Sequence, residues 1–196
     1  AVTTTGNIAI ATGLNANVNI TTKYGDASHW FQTYGDVTES NYNVGSSVIF
    51  DGSGNMYVTG TYGNPSLAAD QAYLRKLSAT GAVLWETAVP QGQPNSDIYG
   101  TSGESVALDG SDNIYWLTNV WGNTNSGWQV TKLNPTTGVV IWNTQEVQNS
   151  YDAVDIAVLS NGQIVVTTEQ NSQLAALNSD GSIDWAVNAD LGNGIC

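Results

Sequence analysis

The 196-residue sequence has very few basic residues. Lys and Arg together number 4, against 17 Asp and Glu, which gives a formal net charge of −13. Nucleic acids and anionic membrane surfaces are bound largely through Lys and Arg, so this composition argues against both partners. Apolar runs are also short, and none approaches the roughly 20 residues that a membrane-spanning helix needs. We therefore expect neither nucleic-acid binding nor membrane insertion.

Cysteine and histidine each occur once, as Cys196 and His29. A lone cysteine cannot form an internal disulfide framework, and a single histidine excludes a metal site built from several histidines. Asp26 and Ser28 are close to His29 in sequence, but a catalytic triad brings its members from separate elements. We interpret His29 as a loop residue and expect no bound cofactor and no resident metal.

What the sequence does contain is a repeated unit of four short strands. In its clearest copy, within residues 45–88, β-branched and aromatic runs alternate with turns at residues 52–54 and 78–81. The unit recurs at residues 103–146 and, in shorter form, at residues 152–188. Residues 1–35 match only its second to fourth strands. Self-similarity at this period is strong evidence for a repetitive architecture.

The last strand of every copy carries a tryptophan: Trp30, Trp85, Trp142 and Trp185. Four antiparallel strands in about 45 residues are typical of one β-propeller blade. We predict an all-β chain that forms a single β-propeller domain over residues 1–196, with about four blades at residues 1–35, 45–88, 103–146 and 152–188. Connections at residues 36–45 and 89–103 join the blades. In the last turn of each complete blade we expect a positive φ at Gly81, Gly138 or Gly181.

The first predicted blade lacks its first strand, which leaves the closure of the ring open. Residues 189–196 (ADLGNGIC) occupy the place where the next first strand would begin. They could complete the first blade and close a four-bladed ring, which would remove exposed sheet edges. Alternatively, the sequence is a window cut from a longer propeller, or several chains contribute blades to one ring.

Residues 45–60, GSSVIFDGSGNMYVTG, resemble the β-propeller repeat of bacterial surface proteins. Residues 133–142, LNPTTGVVIW, are similar to the quinoprotein-like repeat, in which a tryptophan docks between neighbouring blades. The resemblance implies the fold, and repeats of this type occur in surface, adhesive and assembly proteins and in phage structural proteins. Because no set of titratable residues repeats or clusters, we predict a non-catalytic structural or adhesive role in an extracellular assembly at a cell surface or in a virion. Its partners would be other proteins or copies of itself. The calcium site and catalytic carboxylate of pyrroloquinoline quinone dehydrogenases cannot be placed here, so we expect no enzyme activity.

Three further tryptophans lie inside the third repeat, at Trp116, Trp121 and Trp128. Aromatic rings beside amides, such as those of Asn123 and Asn125, are what a sugar-binding surface needs. Packing between blades or at a protein contact is the competing explanation. We take Trp121, Asn123, Asn125 and Trp128 as the candidate ligand-binding set, with a surface glycan as the ligand, and expect Trp121 to be the most exposed.

The first turn of two repeats places oxygen-bearing side chains at alternate positions, as the start of a calcium loop does. The Gly and distal Glu that complete the calcium-loop pattern are missing. A hydrogen-bonded Asx turn between two strands explains the same residues. We favour the turn, and the residues that remain weak calcium candidates are Asp51, Ser53, Asn55, Asp109, Ser111 and Asn113.

Two carboxylates, Glu104 and Asp152, occupy similar positions at the start of the first strand in successive repeats. In a propeller, such positions approach each other near the central channel. A glycoside hydrolase needs two carboxylates facing each other across a cleft. This pair is therefore the basis for a third functional alternative, after assembly and glycan binding.

Overall fold

The computed structural model describes residues 8–14, 17–23, 30–34, 43–64, 69–89, 98–122, 126–146, 152–169 and 173–188. Regular structure in these ranges consists of antiparallel strands, which form four sheets in sequence order. No helix in these ranges could cross a membrane.

The first sheet has three strands and each later sheet has four. Sheet 1 contains β1 (Ile8–Leu14), β2 (Asn17–Lys23) and β3 (Trp30–Tyr34). Sheet 2 contains β4 (Asn43–Phe50), β5 (Met56–Asn64), β6 (Ala69–Leu77) and β7 (Val83–Ala88). Sheet 3 contains β8 (Ile98–Leu108), β9 (Ile114–Gly122), β10 (Gly127–Leu133) and β11 (Val140–Glu146). Sheet 4 contains β12 (Ala153–Val158), β13 (Ile164–Thr168), β14 (Gln173–Leu177) and β15 (Ile183–Asn188).

The strands fall where the repeats predict them, with two differences. β4 begins at Asn43 and β8 begins at Ile98, each inside a stretch that we predicted to be a connection between blades. The early part of β8 is held against sheet 2, because the backbone N–H of Ala72 donates to Thr101 Oγ1 at 2.9 Å and Thr101 is buried. The proposed closing segment, residues 189–196, lies outside the described residues.

A row of paired residues crosses each sheet and ends at its tryptophan; we call it the tryptophan row. In sheet 1 the backbone register pairs Ala9 with Thr22 and Thr22 with Trp30. The rows of the complete sheets are Ile49–Tyr57–Lys76–Trp85, Ala107–Tyr115–Lys132–Trp142 and Ala157–Val165–Ala176–Trp185. The four tryptophans therefore occupy one equivalent position, as the repeat alignment predicted.

In sheets 2 and 3 the tryptophan row is stabilised by the same aromatic and cationic contacts. Tyr57 lies 6.0 Å from Trp85 between ring centroids, and Tyr115 lies 6.1 Å from Trp142. Lys76 Nζ lies 4.9 Å above the Tyr57 ring, and Lys132 Nζ lies 5.0 Å above that of Tyr115. Such pairs add stability beyond the area that they bury. Two of the few cations in this acidic chain are thus used inside the fold.

Each sheet packs face to face on the next one in sequence. A core between sheets 2 and 3 contains Tyr57, Leu74 and Trp116, and a core between sheets 3 and 4 contains Trp128 and Ile164. Within the described ranges, extensive strand packing joins only consecutive sheets, and none joins sheet 4 to sheet 1. The sheets therefore form an open arc.

The tryptophans of sheets 2 and 3 each rest on a turn glycine of the next sheet. A Cβ added to Gly138 would lie 2.7 Å from Trp85 Cε3, and one added to Gly181 would lie 2.8 Å from Trp142 Cε3. Trp85 Nε1 also donates to Pro135 O at 3.3 Å. The predicted positive φ is confirmed at all three turn glycines, Gly81, Gly138 and Gly181, with values of 84°, 71° and 89°. Glycine is thus required both for the turn and for the close approach of the ring.

We expect Gly138→Ala to destabilise the protein by about 1–3 kcal/mol more than Gly162→Ala. Both glycines have positive φ, 71° and 84°, so both variants carry left-handed strain of about 1–2 kcal/mol. Only at Gly138 does the new methyl group also overlap a neighbouring ring, since nothing lies within 4 Å of a Cβ at Gly162. Urea unfolding curves of the two variants measure the difference. Equal midpoints for the two variants would show that Trp85 does not pack against Gly138.

Candidate functional site

A cavity of about 280 Å³ lies where the inner strands β4, β8 and β12 begin. Strands of sheets 2, 3 and 4 all contribute to it, so the cavity is formed by three sheets together and not by one blade. Four carboxylates and one tryptophan line it, together with small polar and apolar side chains. The lining residues are Val44, Ser46, Thr61, Asp70, Ser102, Glu104, Asn119, Trp121, Asp152, Ala153, Val154 and Glu169.

Trp121 supplies the aromatic surface of the cavity. It lies near the end of β9 and is partly exposed, and its ring packs over Gly100, where an added Cβ would lie 3.0 Å from Trp121 Cε3. The sequence therefore identified a residue that does line a cavity. Asn123 and Asn125, the other half of that prediction, lie outside the described residues.

The structure brings Glu104 and Asp152 to the same cavity, as their equivalent positions in the repeats indicated. Ser102 Oγ donates a hydrogen bond to Glu104 Oε1. Burial raises the pKa of Glu104, and the nearby negative charges of Asp152 and Glu169 raise it further, against the lowering effect of hydrogen bonds from Ser102 and Asn119. The surroundings of Glu104 therefore oppose its ionisation.

The amide of Asn119 holds the start of β12 against β9. Ala153 N donates to Asn119 Oδ1 at 2.8 Å, and Asn119 Nδ2 donates to Ala153 O at 3.1 Å. The Asn119 side chain thereby bonds both the N–H and the C=O of Ala153, as a neighbouring strand would, and links sheet 3 to sheet 4. Sequence reasoning missed this residue, although an Asn inside an otherwise apolar strand was an available signal.

Two of the three extra tryptophans are core residues. Trp116 is 2% exposed, and its Nε1 donates to Thr59 Oγ1 at 2.6 Å. Trp128 is 3% exposed and packs between sheets 3 and 4, so its place in the candidate ligand-binding set was wrong. Its side chain is covered by sheet 4, which the sequence of sheet 3 alone could not show.

The calcium candidates of sheet 2 form a hydrogen-bonded turn. Asp51 Oδ1 accepts from Ser53 N at 3.0 Å and from Asn55 N at 2.8 Å, and Asp51 Oδ2 accepts from Asn55 Nδ2 at 2.8 Å. Burial alone would raise the pKa of Asp51, but the bonds from Asn55 and the charge of Lys76, whose Nζ lies 3.4 Å from Oδ2, hold it below its usual value. These oxygens are engaged by donors of the same sheet.

Sheet 3 repeats this arrangement around Asp109. Its Oδ1 accepts from Ser111 N at 2.9 Å and from Asn113 N at 3.0 Å, and its Oδ2 accepts from Asn113 Nδ2 at 2.8 Å and Tyr115 OH at 3.2 Å. Asx turns account for both sets of residues. In the described part of the chain, no group of three His, Cys, Asp or Glu residues is placed to hold a metal ion.

We expect Glu104→Gln to stabilise the protein at neutral pH. A raised pKa means that the native state binds the Glu104 proton more tightly than the unfolded chain does, so stability falls as pH rises from the ordinary value of 4.5 through the raised one. The glutamine side chain does not ionise, so the variant does not lose stability in this way as pH rises. Its advantage over wild type should be present at pH 7 and disappear at pH 4. Thermal melts at the two pH values test this, and an advantage of equal size at both would contradict it.

Several solved structures are similar to this chain, although their sequences are not closely related. The BamB protein of Moraxella catarrhalis matches with a TM-score of 0.54 and 14% identity over 99% of this chain and 54% of its own. The β-propeller domain of Cps50 (Swd1) from Myceliophteria thermophila matches with a TM-score of 0.54 and 11% identity over 92% and 57%. The fold is a β-propeller. A streptogramin B lyase matches with a TM-score of 0.52 and 15% identity over 91% and 58%.

These comparisons support the propeller fold and extend no further. No family model matches the sequence, and no curated protein matches it. Identities of 11–15% carry no information on activity. The chain spans 54–58% of the length of the three proteins named here.

Proposed function

We propose that this propeller is a non-catalytic structural or adhesive module of an extracellular assembly, such as a bacterial surface protein, a filament or a phage particle. The observation that carries the proposal is the exposure of Trp185. Trp85 and Trp142 rest on the following sheet, whereas Trp185 is 40% exposed on sheet 4. An exposed apolar face that carries a large aromatic side chain is a feature of proteins that associate with other proteins.

Three of the four basic residues support this proposal, since they are used within the fold. Lys76 and Lys132 lie over tyrosine rings, and Arg75 forms an ion pair with Glu86. An acidic surface with so few free cations suits a protein or glycan partner better than a polyanion.

Native mass spectrometry of the protein isolated from its natural source tests this function. One chain has a mass of 20.7 kDa. We expect a heavier polypeptide or a fixed assembly that contains the chain. A single species of 20.7 kDa, unchanged as the protein is concentrated, would contradict an assembly role.

Carbohydrate binding is the second candidate function, and the position of Trp121 favours it. A partly exposed indole beside carboxylates and an amide in one cavity offers a stacking face and hydrogen-bond acceptors for sugar hydroxyls. Trp121→Ala should abolish binding on a glycan array, while the control Trp185→Ala, which lies away from the cavity, should keep it. Retained binding in Trp121→Ala would rule out this cavity as the glycan site.

A hydrolase would use the same cavity through Glu104 and Asp152. The streptogramin B lyase named above shares only the fold with this chain. If the wild-type protein cleaves no glycoside substrate, the hydrolase alternative is ruled out. If it does, Glu104→Gln and Asp152→Asn should each remove the activity.

A further inference from the structure

The outward face of sheet 4 repeats the surface through which sheets 2 and 3 bind their neighbours, and no sheet of the described residues packs on it. We call it the open face and define it by the residues that share it in the strand register: Ala157, Val165, Thr167, Leu174, Ala176, Trp185 and Val187. Trp185 is 40% and Val187 48% exposed. Trp85 and Trp142, which occupy the position equivalent to that of Trp185, are only partly exposed, and Ala176 in the tryptophan row of sheet 4 is buried.

The open face is more apolar than the faces that already have a neighbour. Where sheets 2 and 3 place Tyr57 with Lys76 and Tyr115 with Lys132, sheet 4 has Val165 and Ala176. No charged side chain lies in its tryptophan row. Interfaces of permanent assemblies are more apolar than those of transient ones, so this face fits a lasting partner.

The partner that covers the open face must present a blade face like those of sheets 3 and 4, on which Trp85 and Trp142 pack. Gly138 receives Trp85 and Gly181 receives Trp142 in the same geometry. Sheet 1 is such a blade, because its backbone row Ala9–Thr22–Trp30 has the same register as the rows of the other sheets. No described strand of sheet 4 packs extensively on sheet 1 of the same chain.

We infer that the open face of one chain packs on sheet 1 of a second copy, and that two copies close one ring of eight blades. This rests on the proposed assembly function. Eight blades lie within the range of known propellers. One copy spans 54–58% of the length of the larger propellers described above, so two copies supply enough chain for a ring. The contact is head-to-tail and closes after two copies.

Sedimentation equilibrium of the purified 196-residue chain tests the inference. We expect twice the 20.7 kDa of one chain. Trp185→Asp should halve the mass, and Val187→Asp should do so independently if Trp185→Asp fails to fold. The matched control is Ile141→Asp. Ile141 is 55% exposed and directly precedes Trp142, but it lies outside the open face, so this variant should keep the doubled mass.

Oxidation of a Val187→Cys variant in a Cys196→Ser background separates two kinds of dimer. If two open faces met each other, the two introduced cysteines would approach and form a disulfide. The head-to-tail ring keeps them apart, so we expect none. A disulfide, a monomeric wild type, assemblies larger than two copies, or a dimer that survives both Asp substitutions would each overturn the inference. A monomeric purified chain together with a heavy species from the natural source would overturn only this inference and leave the proposed function standing.

Discussion

Gly103→Ala should cost about 3–5 kcal/mol of unfolding free energy, a large part of the stability of an ordinary domain. Gly103 lies in β8, next to Thr59 and Gly60 of sheet 2. An added Cβ would overlap Thr59 Oγ1 and lie 2.7 Å from Gly60 O. Backbone atoms of a paired strand cannot move aside as the end of a flexible side chain can, so the two sheets must separate locally.

The overlap also affects a buried hydrogen-bond network. Thr59 Oγ1 donates to Tyr73 O at 2.8 Å and accepts from Trp116 Nε1 at 2.6 Å. Displacing this hydroxyl weakens both bonds in the core. Gly110→Ala is the matched control, because nothing lies within 4 Å of a Cβ there and the residue is an exposed turn position. Urea unfolding followed by circular dichroism should show a large loss for the first variant and a change within about 0.5 kcal/mol for the second. Similar midpoints for the two variants would show that the sheets are not in this close contact.

Trp116→Ala should destabilise the protein by about 3–5 kcal/mol. Trp116 is among the largest fully buried side chains and belongs to the core between sheets 2 and 3. Its removal leaves a cavity between two sheets that are held together mainly by such contacts. Trp116→Phe should cost less, since it keeps most of the apolar contact and loses the hydrogen bond to Thr59, worth about 1 kcal/mol.

The same unfolding assay compares these variants with Ile141→Ala. Ile141 is 55% exposed, so its truncation removes little buried surface and should change stability by less than about 1 kcal/mol. If Trp116→Ala were no more destabilising than Ile141→Ala, the indole would not be the packing residue that its burial indicates.

The parts of the fold that recur within each blade were predictable from the sequence. The tryptophan row, the turn glycines and the Asx turn at Asp51 each depend on residues close together in one repeat, so comparing repeats identifies them. The approach of Glu104 to Asp152 was also predictable, because equivalent positions in adjacent blades converge near the channel.

The contacts between blades were harder to predict. Trp128 was assigned to a ligand surface because nothing in its own sheet shows that sheet 4 covers it. The link from Asn119 to Ala153 and the close approach of Gly103 to Gly60 depend on the distance between two sheets. That distance is set by the side chains of both sheets together, and a pattern within one strand does not contain it.

The packing of Trp85 on Gly138 and of Trp142 on Gly181 combines residues of two successive repeats, since the indole comes from one and the glycine turn from the next. The two contacts are also alike, since a Cβ added to Gly138 would lie 2.7 Å from Trp85 Cε3 and one added to Gly181 would lie 2.8 Å from Trp142 Cε3. Loss of a whole repeat, such as residues 103–146, would bring Trp85 to Gly181 and rebuild the same joint. Loss of half a repeat would leave a tryptophan without the turn glycine on which it packs. Genes of this kind can therefore gain or lose blades in whole units, and ring size can change by duplication or deletion while each remaining interface is preserved.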